Sequence, residues 1–421
     1  MCIEECGLGK RIGLNMVVRF GNSTTAILAG ICCVATAMSS ICSNTSVAMM
    51  LLPFTTSILE ALEDVNREAQ ERKDLERYQI GVLLAICYGC NIGGMATTVG
   101  TAANLILVST MEAYFGAEHA PNFATFAALG VPVTIAMCVT CIVILYLKWG
   151  RNLRINIPQD LFTNQVAKLP PMDRDEIVVS VITLLQLILW CSRDATFPGT
   201  HGWSEIWGGH AAYWDDGAVA LLCSFPLFLI PSKQRPGDRM VNETMLREGM
   251  PWDVILLIGA GFAIAEVVES SGTAEFMGDS LGNLATSVPF FPFLMILCGM
   301  VTTLTEIASN TATAAIILPV LIPAAVEANM TPLSLSVPAV LACSTSFCLP
   351  MATAPNSIVF SSGRMSMLDM FSTGIWLNLA AFTVLPLTLC LVSFQIFDLG
   401  GVTGAAPAPT WAVDALPDDG A

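Results

Sequence analysis

The tripeptide Ser43-Asn44-Thr45 lies inside MSSICSNTSVAMMLLP, residues 38–53, and returns as Ser309-Asn310-Thr311 inside TEIASNTATAAIILP, residues 305–319. Each copy leads through small and aliphatic residues to a proline, Pro53 or Pro319. Residues 24–59 hold no charged side chain, and residues 280–326 hold only Glu306. Three consecutive small polar side chains sit in hydrocarbon-like sequence, twice. Such sequence asks for a membrane, and for a reason to be polar inside it.

The chain has 421 residues, of which 54% are hydrophobic and 12% charged. Soluble domains carry roughly 25% charged residues, so this composition belongs in a bilayer. Apolar runs at 177–192, 217–232, 252–265 with its flanks, and 371–397 read as membrane-spanning helices, which need about 18 or more apolar residues. None of the long runs alternates with period two, which argues against a β-barrel. Residues 1–22 carry Glu4, Glu5, Lys10, Arg11 and Arg19 and show no apolar core of a cleavable signal peptide. A net charge of −16 disfavours nucleic acid as a partner. Most of the fifteen cysteines, including the Cys87-x-x-Cys90 and Cys138-x-x-Cys141 pairs, lie in apolar runs and read as small hydrophobes. No organic cofactor and no structural or catalytic metal is expected. No nucleophile–base pairing, metal spacing or phosphate loop suggests an enzyme.

The basic residues give the topology. Lys10, Arg11 and Arg19 form one cluster, residues 67–77 a second, 148–174 a third and 233–247 a fourth, with Arg364 alone. Of the 18 Lys and Arg residues only Arg193 falls elsewhere. Placing the clusters in the cytoplasm puts the N-terminus inside and the C-terminus outside. Residues 1–23 become a cytoplasmic interfacial helix. Segment 24–62 leaves the cytoplasm and returns to it, and 78–147 holds a broken helix and a further span. A cytoplasmic loop occupies 148–174. Scaffold helices and a second interfacial helix fill 175–289. Segment 290–327 enters from outside and returns there, 337–396 holds a second broken helix and the last span, and 397–421 reads as a disordered extracellular tail. Trp149, Trp252 and Trp376 fall at expected span ends.

Charge parity allows either two full spans or one re-entrant hairpin around each tripeptide. Surface loops usually carry charge, Gly or Pro, whereas these tips carry Ser, Asn and Thr. Non-helical backbone at membrane depth is tolerated where it lines a cavity, so re-entrant hairpins are the expectation. A repeat supports it. Gly7 precedes Asn44 by 37 residues and Gly272 precedes Asn310 by 38, each after a Val/Ile-Glu signature. After each hairpin comes an interrupted apolar segment with a Thr-x-x-Asn element, Thr101 to Asn104 and Thr353 to Asn356. Hairpin, broken helix, span is the order in both halves, with opposite orientation. That pattern marks a secondary transporter with its site near the midplane. Uncharged oxygens suit sodium, a hard cation. The helix starting after each tripeptide offers free N–H groups and a positive dipole end to an anion.

The stretches SNTSVAMMLLP, IGG-A-T-GT--N, MPW-VILLIGAGFA, TE--SNTAT and LPMATAPNSIVFSSG resemble those of the sodium-coupled divalent-anion symporters, which carry dicarboxylates, citrate or sulfate. The resemblance runs from residue 1 to about 396. It implies one sodium site at Ser39, Ser43 and Asn44 with backbone near Gly100. It implies a second at Thr305 and Asn310 with backbone near Ala352. It places the substrate anion on Asn44, Thr45, Asn310, Thr311 and Thr353. It also implies an all-α polytopic fold of inverted repeats, with two re-entrant hairpins and two broken helices. A transport domain would move in elevator fashion against a dimeric scaffold, in the plasma membrane.

Three departures stand out. Ala103 stands where the family usually has proline before Asn104. The second break reads Thr353-Ala354-Pro355-Asn356 in place of Thr-Pro-Pro-Asn. Each lost proline frees an N–H and softens the unwound stretch. Three spans precede the second Gly signature and none precedes the first, so about three scaffold helices are expected to be absent. The sequence leaves a fragment, a shortened isoform and a late-starting gene prediction equally open. It leaves three functions: a di- or tricarboxylate symporter, toward which Thr311 leans; a sulfate or oxyanion symporter; and a shortened, non-transporting form. Glu306 has two readings, cation attraction or a hydrogen-bonded structural carboxylate.

Overall fold

The structure, a computed structural model, describes residues 2–20, 23–158, 170–194, 201–249, 252–272, 276, 287–402 and 404–415. In chain order the principal helices are Leu8–Phe20 (α1), Thr24–Ser39 (α2), Asn44–Val65 (α3), Ala69–Gly93 (α4), Ala102–Phe115 (α5), Phe123–Leu145 (α6), Arg174–Cys191 (α7), Asp216–Leu229 (α8), Trp252–Ser270 (α9), Phe290–Ile307 (α10), Asn310–Glu327 (α11), Pro332–Cys343 (α12), Ala354–Phe360 (α13) and Met367–Thr388 (α14). Among the described residues β structure is limited to two isolated bridges, Pro231 with Arg239 and Gly400 with Ala405. Five helical stretches are long and apolar enough to cross a membrane: Asn44–Val65, Phe123–Gly150, Phe290–Ile307, Asn310–Glu327 and Met367–Ile396. The protein is an all-α integral membrane protein.

Serines set the turns. Ser43 Oγ accepts from Ser46 N at 3.2 Å and Ser309 Oγ accepts from Ala312 N at 3.1 Å. Each tripeptide serine is therefore an N-cap, holding an N–H that the first turn leaves unpaired. The asparagine after it is the first helical residue. α2 and α3 are joined by the short turn at residues 40–43, and α10 and α11 by the turn at residues 308–309. α4 stops at Gly93 and α5 begins at Ala102; α12 stops at Cys343 and α13 begins at Ala354. These are the two broken helices, with unwound stretches at 94–101 and 344–353.

Close backbone approach fixes where the breaks sit. A Cβ on Gly93 would stand 2.3 Å from the Thr36 carbonyl oxygen, so α4 lies directly on α2. A Cβ on Gly130 of α6 would stand 2.3 Å from Met95 O, and one on Gly374 of α14 would stand 2.3 Å from Phe347 O. The span after each broken helix thus presses its glycine against the start of the unwound stretch. Gly130→Ala and Gly374→Ala should each lower stability by about 1–3 kcal/mol, the usual effect of overpacking a tight site. A thermal-unfolding midpoint in detergent equal to the parent's would show that the backbone there yields freely.

The two halves share smaller features. α6 runs into a π-turn at Tyr146–Gly150 and α14 into one at Leu389–Ser393. Gly7 and Gly272 both have left-handed backbone, with φ of 77° and 69°, a conformation glycine adopts without strain. α11 contains both Pro319 and Pro323. Pro323 has no N–H to give the Pro319 carbonyl four residues back, and the Tyr114 hydroxyl of α5 donates to that carbonyl at 3.0 Å instead.

The structure corrects several expectations. Hairpin 1 continues to Val65, and the charged run after it forms the first turns of α4. α12 begins at Pro332 rather than 337. Trp149 is buried, its indole N–H donating to Thr373 Oγ1 at 3.0 Å, so it is a packing residue and not an interfacial anchor. The described part of the 397–421 tail is packed rather than disordered. Thr331 N donates to Ala406 O at 3.0 Å, and the Trp411 ring stacks on His119 with centroids 4.2 Å apart. An aromatic ring and backbone carbonyls together dock this Pro-rich segment. Arg193, the basic residue outside the clusters, pairs with Asp194 at 2.6 Å and Asp216 at 2.8 Å, so its charge is locally neutralised. Residues 416–421, most of 273–286 where the second interfacial helix is expected, and 159–169 of the cytoplasmic loop lie outside the described residues.

Candidate functional site

Both hairpin tips and both unwound stretches line one cavity of about 500 Å³. Ser43, Asn44 and Thr45 face it from hairpin 1 and Ser309, Asn310 and Thr311 from hairpin 2. Gly100, Thr101 and Ala102 close one side, and Ala352, Thr353 and Ala354 another. Val99, Leu105, Val254 and Met351 supply apolar wall, and no ionisable side chain is among the described lining residues. The helices α3, α5 and α11 begin at this wall, so their unpaired first-turn N–H groups and positive dipole ends converge on it. All five residues expected to hold the substrate anion line the cavity.

Beside each tip is a cluster of oxygens. The Ser39 hydroxyl, five residues before Asn44, donates to the Asn44 amide oxygen at 2.6 Å. The orientation of that amide is fixed only by its partners. With nitrogen turned inward it donates to the Gly100 and Cys90 carbonyls, both at 3.2 Å, and to Ser39 Oγ at 2.6 Å. With oxygen inward, four oxygens converge around a single hydroxyl proton, an arrangement that a cation satisfies. At the second tip Thr305, again five residues before its asparagine, has Oγ1 2.8 Å from both Asn310 Oδ1 and Cys343 O. It has one proton for the two. Ser346 Oγ donates to Asn310 Oδ1 at 3.0 Å. At the second tip four oxygens share two hydroxyl protons; at the first, oxygens outnumber protons when the Asn44 oxygen faces inward, and none of the oxygens carries a formal charge.

The expected ion ligands are thus mostly brought together. Ser39, Asn44 and Gly100 meet in the first cluster, and Thr305 and Asn310 in the second. Ser43 lines the cavity, but its hydroxyl is committed to the cap and to Ser46 Oγ at 2.7 Å. Ala352 lines the same cavity as Asn310. Sequence reasoning missed Cys90, Cys343 and Ser346. Two of these contribute a backbone carbonyl, on which side-chain identity leaves no mark.

Equivalent asparagines hold the two unwound stretches in shape. Asn104 Nδ2 donates to the Gly94 carbonyl at 2.8 Å and the Thr97 carbonyl at 2.7 Å, ten and seven residues back. Asn356 Nδ2 donates to the Ser346 and Leu349 carbonyls at 3.1 and 3.0 Å, again ten and seven residues back. One amide thereby replaces two helical N–H donors that the break removes. This is the physical meaning of the Thr-x-x-Asn element.

Glu306 reaches the second stretch from hairpin 2. Its Oε1 accepts from Phe347 N at 2.8 Å, Cys348 N at 2.9 Å and Asn378 Nδ2 at 2.7 Å, and its Oε2 from Leu349 N at 3.3 Å. It has no ion-pair partner among the described residues. The structural reading of this buried carboxylate therefore holds.

Comparison with known proteins fits this geometry. The sodium:sulfate symporter transmembrane region family matches residues 1–394. A sodium-dependent dicarboxylate transporter, SdcS, of Staphylococcus saprophyticus is 31% identical over 412 residues, covering 97% of this chain and 76% of that relative. SdcS of Staphylococcus aureus strain NCTC 8325 is 30% identical over 395 residues, covering 93% and 74%. Among solved structures, the YdaH transporter of Alcanivorax borkumensis aligns with a TM-score of 0.60 at 13% identity, covering 96% of this chain and 84% of that one. That similarity speaks to the fold alone.

Proposed function

The chain belongs to the sodium:sulfate symporter family, and on that premise we propose that it moves a small dicarboxylate across a membrane together with sodium ions. One observation carries this reading: two tips and two unwound stretches meet in a cavity of about 500 Å³ with no ionisable side chain among its described lining residues, flanked by an uncharged oxygen cluster at each tip. An anion held without Arg or Lys needs its countercharge from elsewhere. Sodium at Ser39, Asn44 and Gly100, and at Thr305, Asn310 and the backbone near Ala352, supplies it. Asn44, Thr45, Asn310, Thr311 and Thr353 then hold the anion, with Ser43 capping the first tip.

The dicarboxylate is favoured over sulfate on the geometry of two separate tips. Each offers an amide, a hydroxyl and a helix N-terminus to one end of an elongated dianion. The names of the SdcS relatives point the same way. Hairpins, broken helices and the spans after them form the moving unit, and α7, α8 and α9 belong to the frame, in an elevator cycle with a homodimeric scaffold at the plasma membrane. The basic clusters lie on its cytoplasmic side.

Protein reconstituted in liposomes should accumulate radiolabelled succinate under an inward sodium gradient and not in choline buffer. Equal uptake in the two buffers would sink sodium coupling. Sulfate accumulation that succinate fails to inhibit would overturn the choice of substrate.

A further inference from the structure

Asn91 lies on α4, three residues before the first unwound stretch, and is fully buried. Its side chain does not serve its own repeat. Asn91 Nδ2 instead reaches across to the second, 3.2 Å from Thr353 Oγ1, 3.2 Å from Asn356 Oδ1 and 3.4 Å from Ser346 O. Two amide protons are thus shared among three acceptors of the other half-site. The arrangement is one-sided. Ten residues before Thr353, where the first repeat has Asn91 before Thr101, stands Cys343, which offers no amide. Asn104 Oδ1 accordingly has no partner among the described residues, whereas Asn356 Oδ1 has Asn91.

The consequence falls on the Thr353 hydroxyl. A hydroxyl has two lone pairs and one proton. One lone pair accepts from Asn91 Nδ2 and the other from Asn356 N at 3.4 Å. No acceptor among the described residues takes the proton, and Thr353 lines the cavity. The hydroxyl can only donate, and only into the cavity. We infer that Asn91 is a positioning residue for anion selection: by occupying Thr353 from behind, it presets that hydroxyl as a donor to a substrate carboxylate.

This inference rests on the proposed substrate role of Thr353, and its test separates the two. Succinate KM and sodium half-saturation are measured in liposomes for the parent, Asn91→Ala, Asn91→Asp, Thr353→Ala and the Asn91→Ala/Thr353→Ala double variant. Asn91→Ala should raise KM about tenfold, the size of one hydrogen bond to a charged group, with sodium half-saturation unchanged. Thr353→Ala should raise it at least as much, and the double variant no further than Thr353→Ala, because the first acts through the second. Asn91→Asp keeps size and shape but loses the donor, so its KM should rise at least as far as that of Asn91→Ala. A parental KM in Thr353→Ala would remove Thr353 from the anion site, a failure of the underlying assignment. A raised KM there with effects that multiply in the double variant would overturn the role of Asn91 alone. A tighter sodium half-saturation in Asn91→Asp would also overturn it, marking a cation site instead.

Discussion

Asn44→Ala and Asn310→Ala will each abolish sodium-dependent dicarboxylate uptake. Each asparagine stands at two interfaces at once. Its amide belongs to an oxygen cluster with Ser39 or Thr305, and it lines the cavity as the first residue of α3 or α11. Truncation removes a proposed ion ligand and leaves the Gly100 and Cys90 carbonyls, or the Ser346 hydroxyl, facing a void. Losing one buried hydrogen-bonding partner of a charged species costs on the order of 3 kcal/mol, about 100-fold in affinity. The two sites are in series in any coupled cycle, so loss of either suffices. Radiolabelled succinate uptake in sodium against choline is the measurement, with folded protein quantified by size-exclusion chromatography. Parental uptake by either variant would remove that asparagine from the site.

Glu306→Ala will destabilise the protein more than any substitution in the cavity wall. It leaves the Phe347, Cys348 and Leu349 amides and the Asn378 side chain without their acceptor in the interior. Each buried unsatisfied donor costs about 1–3 kcal/mol, so the sum is several kcal/mol, a large share of an ordinary net stability of about 5–15 kcal/mol. The stretch affected, 347–349, leads straight to Ala352 and Thr353, so uptake should fall with stability. Glu306→Gln keeps an oxygen for most of these donors but turns an NH2 group toward the remainder, and should fall between parent and Ala. A parental thermal midpoint in Glu306→Ala would mean that the four donors have found another acceptor.

What the sequence could disclose follows from how local each feature is. The SNT tips and the Thr-x-x-Asn elements are compact, repeated and out of place in apolar runs, so they stand out by composition alone. Their lining of one cavity follows once the halves are read as inverted. Asn91 does not stand out. It is one small polar residue among Gly89, Gly93 and Gly94, and its partners are 255 to 265 residues away. The choice between two roles for Glu306 likewise needed the backbone amides of a segment about forty residues on. Carbonyl oxygens such as those of Cys90 and Cys343 in the oxygen clusters are invisible in principle, since any residue could supply them. The tail misled because Pro and Gly content describes an isolated chain, while Trp411 and the carbonyls of Ala406 and Pro407 find partners on His119 and Thr331.

A cavity whose described wall holds no Lys, Arg or His also dictates an order of events. A dianion arriving alone would trade its hydration for dipoles and amides only, and an uncompensated ion in a protein interior costs several kcal/mol. Sodium meets no such obstacle at the oxygen clusters, where uncharged oxygens already face one another. On the proposed function, cations therefore load first and the anion last, and on the far side the anion departs before the field that held it dissolves. A wall lysine would have let the anion bind at any time and ride without its ions. The missing charge acts as a lock against slippage, keeping the downhill flow of one solute tied to the uphill flow of the other.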